Sequence, residues 1–554
     1  MATNPRVEST DELLAEFGEN GSYVADLLAR WRSNPGAVDE EWQAFFRERL
    51  GEPSPAAEPA RAASAPASAP APAARPAPAA EPAARPAAVR PIEGEERQAI
   101  RGAAQRIAEN MEASLGVPTA TSQRQIPIKL LDENRRLIND WRAGHDQSKV
   151  SVTHLVAWAI LKALGGYPRL NDAYDGAGGS PTRVQRDRVN FGFAVDVEKG
   201  GARSLLVPNV KDAGAMRFPE FAAAVDDVIA RARRGKLEVK DFEGTTISLT
   251  NPGTLGTTAS VPRLMPGQGV IVATGAIEHP AAFAGMAPET LAELGVSKVV
   301  TFTSTYDHRI VQGAESGAFL GRIEELLLGE HGFYEEIFRD LEIPIPPYRW
   351  ATDQNPALSG DVGTAIVKQA RVQELINAYR VRGHLLADTD PLRLKTVEGH
   401  PELDLATYGL TIWDLDRVFF TPRLKGGDRM TLREIVAVMR RVYCGKVGIE
   451  YRHISDPFEK EWIRNAVGAE APAPPPETRK ALLSKLIAAE AFEKFLGTKF
   501  LGQRRYSIEG AETAVAFLDR LIEGAAARGV AEVAIGLTHR GRLNILANVV
   551  GNSV

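Results

Sequence analysis

Apolar positions along the 554 residues recur at helical or alternating spacing, and changes of spacing divide the chain. Tyr23, Leu27, Leu28 and Trp31 mark a first short helix that stops at Asn34-Pro35-Gly36, and Trp42, Phe45, Phe46 and Leu50 mark a second. Two such helices are expected not to enclose two Trp and two Phe rings by themselves, so residues 1–50 read as a docking element for a larger domain or a partner. From Pro53 to Pro91 the chain is almost only Ala and Pro, without an aromatic residue. Such a segment buries too little to offset its chain entropy, and 51–92 reads as a disordered, proline-stiffened linker. Helical spacing then predicts helices near 95–115, 130–141, 152–164, 218–234 and 316–327. Strand-like runs stand at Asn190–Val195, Leu205–Val210, Thr246–Leu249, Val270–Thr274 and Val299–Thr303. Helices interleaved with a mixed sheet make 93–336 an α/β domain. After Pro344-Ile345-Pro346-Pro347 the pattern is mainly helical, at 365–382, 432–441, 479–496 and 513–528, followed by a buried-strand candidate at Glu532–Leu537. With so little chain beyond that strand, 337–554 reads as the start of a domain cut short.

Composition narrows the classes. Hydrophobic residues at 44% and charged residues at 25% are those of a globular multidomain protein. A net charge of −5 gives no global reason to expect nucleic acid or an anionic membrane as partner. Cys444 is the only cysteine, which excludes intrachain disulfides, thiolate zinc clusters and iron–sulfur clusters and favours a reducing cytoplasm. The expected localisation is therefore cytoplasmic, with no membrane-crossing run and no signal peptide in the acidic start.

Two constellations carry candidate chemistry. The first, Tyr306-Asp307-His308-Arg309, lies between an apolar strand and Gly313, where a helix begins. A histidine on such a connection can reach a cleft and take a proton near neutral pH. By spacing alone, a surface or hydrogen-bonded structural histidine is the simpler reading. However, Asp307-His308-Arg309-Ile310-Val311-Gln312-Gly313 resembles the signature of the acyltransferase component of 2-oxo acid dehydrogenase complexes, a chloramphenicol acetyltransferase-like family. Met111–Pro118, Tyr167–Asn171, Asn190–Asp196 and Leu249-Thr250-Asn251-Pro252-Gly253 extend the resemblance in order. The resemblance implies that His308 is the general base for a CoA or dihydrolipoamide thiol and that Thr250 donates to the tetrahedral oxyanion. It also implies trimers with the site at a subunit boundary. The family has an aspartate where this chain has Gln312. No lipoyl hairpin precedes residue 95, so the acyl group is expected on another protein's lipoyl arm.

The second constellation, Thr538-His539-Arg540-Gly541-Arg542-Leu543-Asn544, follows the Glu532–Leu537 strand candidate. Arginine forks suit phosphate or carboxylate, although a basic cluster of this size is also an ordinary solvated face. Together with Leu375–Leu385, Asp388–Leu392, Cys444–Tyr451 and Ser507–Gly510, this stretch resembles the thiamine diphosphate-dependent dehydrogenase component for 2-oxoglutarate. The resemblance extends to the helical pair before the linker. It implies that His539 and Arg540 face the cofactor and the 2-oxo acid, with Mg2+ ligands beyond the chain end and no metal ligands within it.

The expected fold class is thus α/β multidomain. An acyltransferase domain is inserted in a thiamine diphosphate-binding dehydrogenase that is truncated at its first cofactor-domain strand. The implied activity is decarboxylation of 2-oxoglutarate in the tricarboxylic acid cycle, with succinyl transfer through dihydrolipoamide to CoA. In the alternative, the acyltransferase-like domain is a degenerate assembly scaffold. Implied partners are a lipoyl-bearing acyltransferase, dihydrolipoamide dehydrogenase, a forkhead-associated regulatory protein and further copies of the chain.

Overall fold

The computed structural model describes residues 28–50 and 103–552, except 39, 177–178, 200–201, 356–359, 361, 391, 393, 395–396, 423, 425 and 469–472, together with Gly94 and Ala99. The linker and the Tyr23–Leu27 part of the first helix lie outside the described residues. The chain divides into two units, Met1–Arg97 and Gln98–Val554.

In the first unit residues 28–33 are helical, and α1 (Glu40–Leu50) follows a turn begun by Pro35. Leu28, Trp31, Val38 and Phe46 form one buried cluster, with the Trp31 and Phe46 rings 5.5 Å apart. Trp31 and Phe46 are covered within the cluster, while Trp42 and Phe45 are only partly buried.

The second unit contains α2 (Ala103–Ser114); residues 95–98 and 100–102 of the helix expected at 95–115 lie outside the described residues. A six-stranded sheet has the order β1-β10-β9-β8-β4-β7. Its strands are β1 (Thr119–Pro127), β4 (Phe191–Phe193), β7 (Asn209–Val210), β8 (Ile247–Thr250), β9 (Val270–Thr274) and β10 (Val299–Asp307). Small hairpins pair β2 (Ala173–Asp175) with β3 (Thr182–Val184) and β5 (Val195–Lys199) with β6 (Ala202–Leu206). The strand expected over 190–195 is therefore broken: the Ala194 amide donates to Leu249, and the chain leaves the large sheet for a hairpin. The 205–210 run also breaks, at Val207-Pro208, because Pro208 has no N–H for a ladder.

Strand register sorts the sheet into two faces. Ile126, Leu249, Val272, Val300 and Phe302 share one face, and α4 (Val152–Leu164) and α7 (Gly313–Leu327) belong to the same core. The other face carries Thr121, Gln125, Thr250, Thr301, Thr303 and Thr305. Helix α4 is buried almost all round, as its nearly unbroken apolar run requires. A capping box starts it: the Ser151 hydroxyl accepts from the His154 amide, and His154 Nδ1 accepts from the Ser151 amide. α5 (Phe218–Arg234) buries Phe218, Phe221, Val225, Val228 and Ala232 at helical spacing.

The apolar core does not stop at residue 336. It continues from α3 (Lys129–Ala143) through α8 (Phe333–Asp340), α9 (Val362–Arg382) and α10 (Leu432–Tyr443) to Tyr451, whereas Leu291, the buried residue of α6 (Pro288–Leu294), lies outside it. Ionic contacts span the same boundary. Arg433 on α10 forks onto Glu133 on α3, with its second nitrogen at 2.7 Å, and reaches Asp416 at 2.5 Å. Arg417 Nη2 also crosses it to the Glu293 carbonyl at 3.2 Å, and on the far side Arg417 grips Asp353 at 2.9 and 2.6 Å and Asp414 at 3.0 Å, while Lys368 reaches Asp414 at 2.7 Å. Past α11 (Pro457–Val467), a smaller core joins α12 (Pro476–Lys499) and α13 (Thr513–Ala526) through Ala489, Ile508, Val515 and Ile545. The expected strand Glu532–Leu537 is not one. The segment has no ladder partner among the described residues, and Val533 is half exposed. An apolar run becomes a buried strand only where neighbours satisfy its backbone.

Candidate functional site

The β1–β10 ladder runs from Thr119 opposite Asp307 to Pro127 opposite Val299. It delivers His308 to the end of the longest strand pair, where its amide donates to the Pro118 carbonyl at 2.9 Å. The turn beyond is tied twice. The buried Asp307 carboxylate accepts from the Arg309 amide at 3.0 Å and from its guanidinium at 2.8 and 2.6 Å. Arg309 also lies 3.8 Å above the Tyr174 ring, so the β2–β3 hairpin braces the turn. Hydrogen bonding to Asp307 raises the Arg309 pKa and keeps the guanidinium charged.

His308 itself is exposed, with its ring edge-on to Tyr306 at 5.6 Å. Nδ1 lies 3.0 Å from the Val311 carbonyl. A carbonyl only accepts, so Nδ1 carries the proton in the neutral ring, and the Nε2 lone pair faces solvent. That is the tautomer a base needs. Gln312 is exposed at the start of α7, and its amide makes no hydrogen bond among the described residues. The arginine of this turn is engaged by Asp307 instead.

Thr250 ends β8, half-buried on the polar face of the sheet. The following Asn251-Pro252-Gly253 turn presses on the backbone after β9. A Cβ on Gly253 would lie 2.1 Å from the Gly275 carbonyl oxygen, which only glycine permits. The structure does not bring Thr250 and His308 of one chain together. Thr250 pairs with Ala273, which pairs with Thr303, five residues before His308. At about 3.3 Å per residue, the two lie roughly 16 Å apart along the strands and two strands over.

The second constellation assembles two stretches of sequence. The His539 ring stacks on Tyr506 at 4.8 Å, and Arg540 Nη2 donates to the Glu509 carbonyl at 2.9 Å. Gly541 holds a left-handed φ of 73° against Ile508, and its amide donates to Tyr506 at 2.7 Å. Asn544, fully buried, donates to the Ala489 carbonyl at 2.8 Å and to the Glu493 carboxylate at 3.0 Å. Sequence reasoning missed Glu493. Its spacing on α12 could have placed it on the buried side, but nothing local pairs it with Asn544. His539 and Arg540 are exposed, and no three His, Cys, Asp or Glu side chains converge on a metal position among the described residues. Their chemistry suits an anion, but an open wall without a carboxylate set does not hold thiamine diphosphate and its metal by itself.

Residues 92–331 match the family model "2-oxoacid dehydrogenases acyltransferase (catalytic domain)", and residues 15–49 match "2-oxoglutarate dehydrogenase N-terminus". A multifunctional 2-oxoglutarate metabolism enzyme of Mycolicibacterium vanbaalenii is 46% identical over 97% of this chain and 45% of its own length. The 2-oxoglutarate dehydrogenase E1/E2 component of Corynebacterium glutamicum is 44% identical over 97% of this chain and 45% of its own. The chain thus spans less than half the length of these relatives. Among solved structures, a probable dihydrolipoamide acetyltransferase of Listeria monocytogenes is 22% identical, with a TM-score of 0.37, over 46% of this chain and 100% of that one. The dihydrolipoamide acetyltransferase of Azotobacter vinelandii is 22% identical, with a TM-score of 0.38, over 46% and 98%. No described helix is long and apolar enough to cross a membrane. The chain is thus similar over 97% of its length to a multifunctional 2-oxoglutarate metabolism enzyme and to a 2-oxoglutarate dehydrogenase E1/E2 component, and its residues 92–331 match the acyltransferase catalytic domain of 2-oxoacid dehydrogenases.

Proposed function

We propose that the acyltransferase domain, 93–336, moves a succinyl group between dihydrolipoamide and CoA, with His308 of one copy and Thr250 of another forming each site. The observation that carries this is the fixed tautomer of His308: Nδ1 is spent on the Val311 carbonyl, which leaves Nε2 as a free base on a braced, exposed turn. Nε2 takes the proton of the CoA thiol, and the sulfur attacks the thioester carbonyl carbon. The carbonyl oxygen becomes an oxyanion that accepts a hydrogen bond from the Thr250 hydroxyl. Collapse breaks the bond to the dihydrolipoamide sulfur, which leaves with the proton held by His308. Such proton transfer contributes about 10²–10⁴-fold and an oxyanion donor about 10²–10³-fold. Because register keeps the two residues apart within a chain, a boundary between copies is required.

The wider reading makes this chain the amino-terminal part of an enzyme of the tricarboxylic acid cycle in the cytoplasm. In that reading 1–50 and 337–554 belong to the dehydrogenase, and the 51–92 linker joins 1–50 to the acyltransferase domain inserted between them. His539 and Arg540 form one wall for thiamine diphosphate and 2-oxoglutarate, and Mg2+ and the remaining walls come from sequence outside these residues. Thiamine diphosphate would supply the carbanion chemistry of decarboxylation. A lipoyl-bearing acyltransferase, dihydrolipoamide dehydrogenase and a forkhead-associated regulator complete the set of partners. The relatives' names and the two family matches support this reading.

The test is complementation between inactive chains. His308→Ala and Thr250→Val are each expected to lose succinyl transfer from succinyl-dihydrolipoamide to CoA by at least a hundredfold. Co-refolded in equal amounts they should regain about a quarter of the parent rate, because one boundary in four then has both residues. No regain would refute a shared site, full activity of His308→Ala would put the proton transfer on another group, and absence of transfer by the parent chain would favour the scaffold alternative.

A further inference from the structure

A cavity of about 290 Å³ lies between the first turn of α4 and the ends of β8 and β9. It is separate from the acyl-transfer residues. Leu249, Thr274 and Val300, which line it, belong to the core face of the sheet, whereas Thr250 stands on the opposite face and His308 at the far end of β10. The walls are aliphatic: Ile128, Val156, Leu249 and Val300. Its volume lies at the lower edge of the roughly 300–1,000 Å³ of small-molecule pockets.

Asn251 and Thr254, on the turn that follows Thr250, also line the cavity, and the Thr254 hydroxyl is spent on the Asn251 carbonyl; three other donors have no partner among the described residues. Val152 and Thr153, the first two residues of α4, line the cavity, and their amides donate to no backbone or side-chain acceptor among the described residues. They stand at the positive end of a 13-residue helix. Thr274 also lines the cavity. It is only 6% exposed, and its hydroxyl has no hydrogen-bond partner among the described residues. The hydroxyl is open to the cavity and can pair with an occupant. No charged side chain lines the cavity.

We propose that this cavity binds a short aliphatic carboxylate, its head on the α4 amides and the Thr274 hydroxyl and its chain on the aliphatic wall. Water alone would satisfy the donors but not explain the aliphatic wall. A dicarboxylate would bury its second charge against that wall.

The probe is pentanoate, titrated into the whole 554-residue chain by calorimetry with ligand-observed NMR as a second readout. Saturable binding is expected with a dissociation constant of about 1 mM, the level set by a few hydrogen bonds and a four-carbon chain without a cation. Pentanamide should bind at least about tenfold more weakly, since it lacks the charge the helix end favours. Thr274→Val, which keeps shape and removes the hydroxyl, should weaken pentanoate about five- to tenfold. Val156→Phe should abolish binding by filling the space. His308→Ala should leave it unchanged, which separates this site from the transferase. Absence of saturation by about 50 mM pentanoate overturns the proposal. So does equal binding of pentanamide, or binding that Thr274→Val, folded to the same thermal midpoint as the parent, leaves untouched.

Discussion

Replacing Arg433 by methionine removes the strongest charged contact between the acyltransferase domain and the helices that follow it. Glu133 is 2% exposed and receives both terminal nitrogens of Arg433, with Lys129 at 2.9 Å as its other cation. Removing one partner of a buried ion pair typically costs about 3–5 kcal/mol. Lys129 remains beside Glu133, and Asp416, 42% exposed on its side chain, is free to rehydrate. The expected loss is therefore about 2–4 kcal/mol. The double variant Arg433→Met/Glu133→Leu removes both charges, keeps the volume apolar and should recover more than half of that loss. Urea unfolding followed by tryptophan fluorescence and far-UV circular dichroism reads all four corners of the cycle. A single-variant loss below about 0.5 kcal/mol, or a double variant equal to the sum of the singles, would refute the claim that the pair is buried and coupled.

Burial pushes the Asp416 carboxyl up, but Lys129 and Arg433 outweigh it and hold the group below its usual value. Stability from this group is present above the unfolded carboxyl pKa near 3.9 and is lost as pH falls through the lower folded value. Asp416→Asn should thus be less stable than the parent at pH 7 and converge with it below about pH 3, read by thermal midpoints across pH. Burial pushes the Cys444 thiol up to about 12, against Arg440. At pH 8 the native chain should react with a disulfide reagent at least about 100-fold more slowly than a free thiol, and one thiol per chain should appear in urea. Because His539 and Arg540 form an open wall, titration of the 554 residues with thiamine diphosphate and Mg2+ should show no tight binding and no release of carbon dioxide from 2-oxoglutarate. Turnover would place the decarboxylation site within this chain.

What the sequence could show depended on whether the signal was local. Helix α4 and strand β9 stand where their apolar runs place them, because the Ser151 cap and the Gly165-Gly166 stop lie within the segment itself. The nine-residue β1 was missed. Its Thr-Ala-Thr-Ser-Gln-Arg-Gln pattern has little apolar alternation, since it is an edge strand whose partner β10 supplies the order. Glu532–Leu537 shows the converse, an apolar run without a partner. The place of His308 between a strand and a helix was legible from the local pattern, but its distance from Thr250 within one chain was not, because that follows from three paired strands. The break expected at residue 336 followed a change in spacing, whereas the core ignores it: Asn134 exchanges two hydrogen bonds with the Tyr348 backbone.

The contact between Glu133 and Arg433 spans 300 residues of sequence. A ribosome adding about 5–20 residues per second makes Glu133 wait roughly 15–60 s for its arginine. During that interval a carboxylate destined for the interior stands in water beside Lys129, and Asn134 waits for Tyr348 for much of the same time. The sheet and its covering helices can form meanwhile, but α3 has one side to seal only when α10 has emerged. The order of synthesis therefore leaves the acyltransferase domain with an open flank in every nascent chain, and that flank is where a chaperone or a second nascent copy would first meet it.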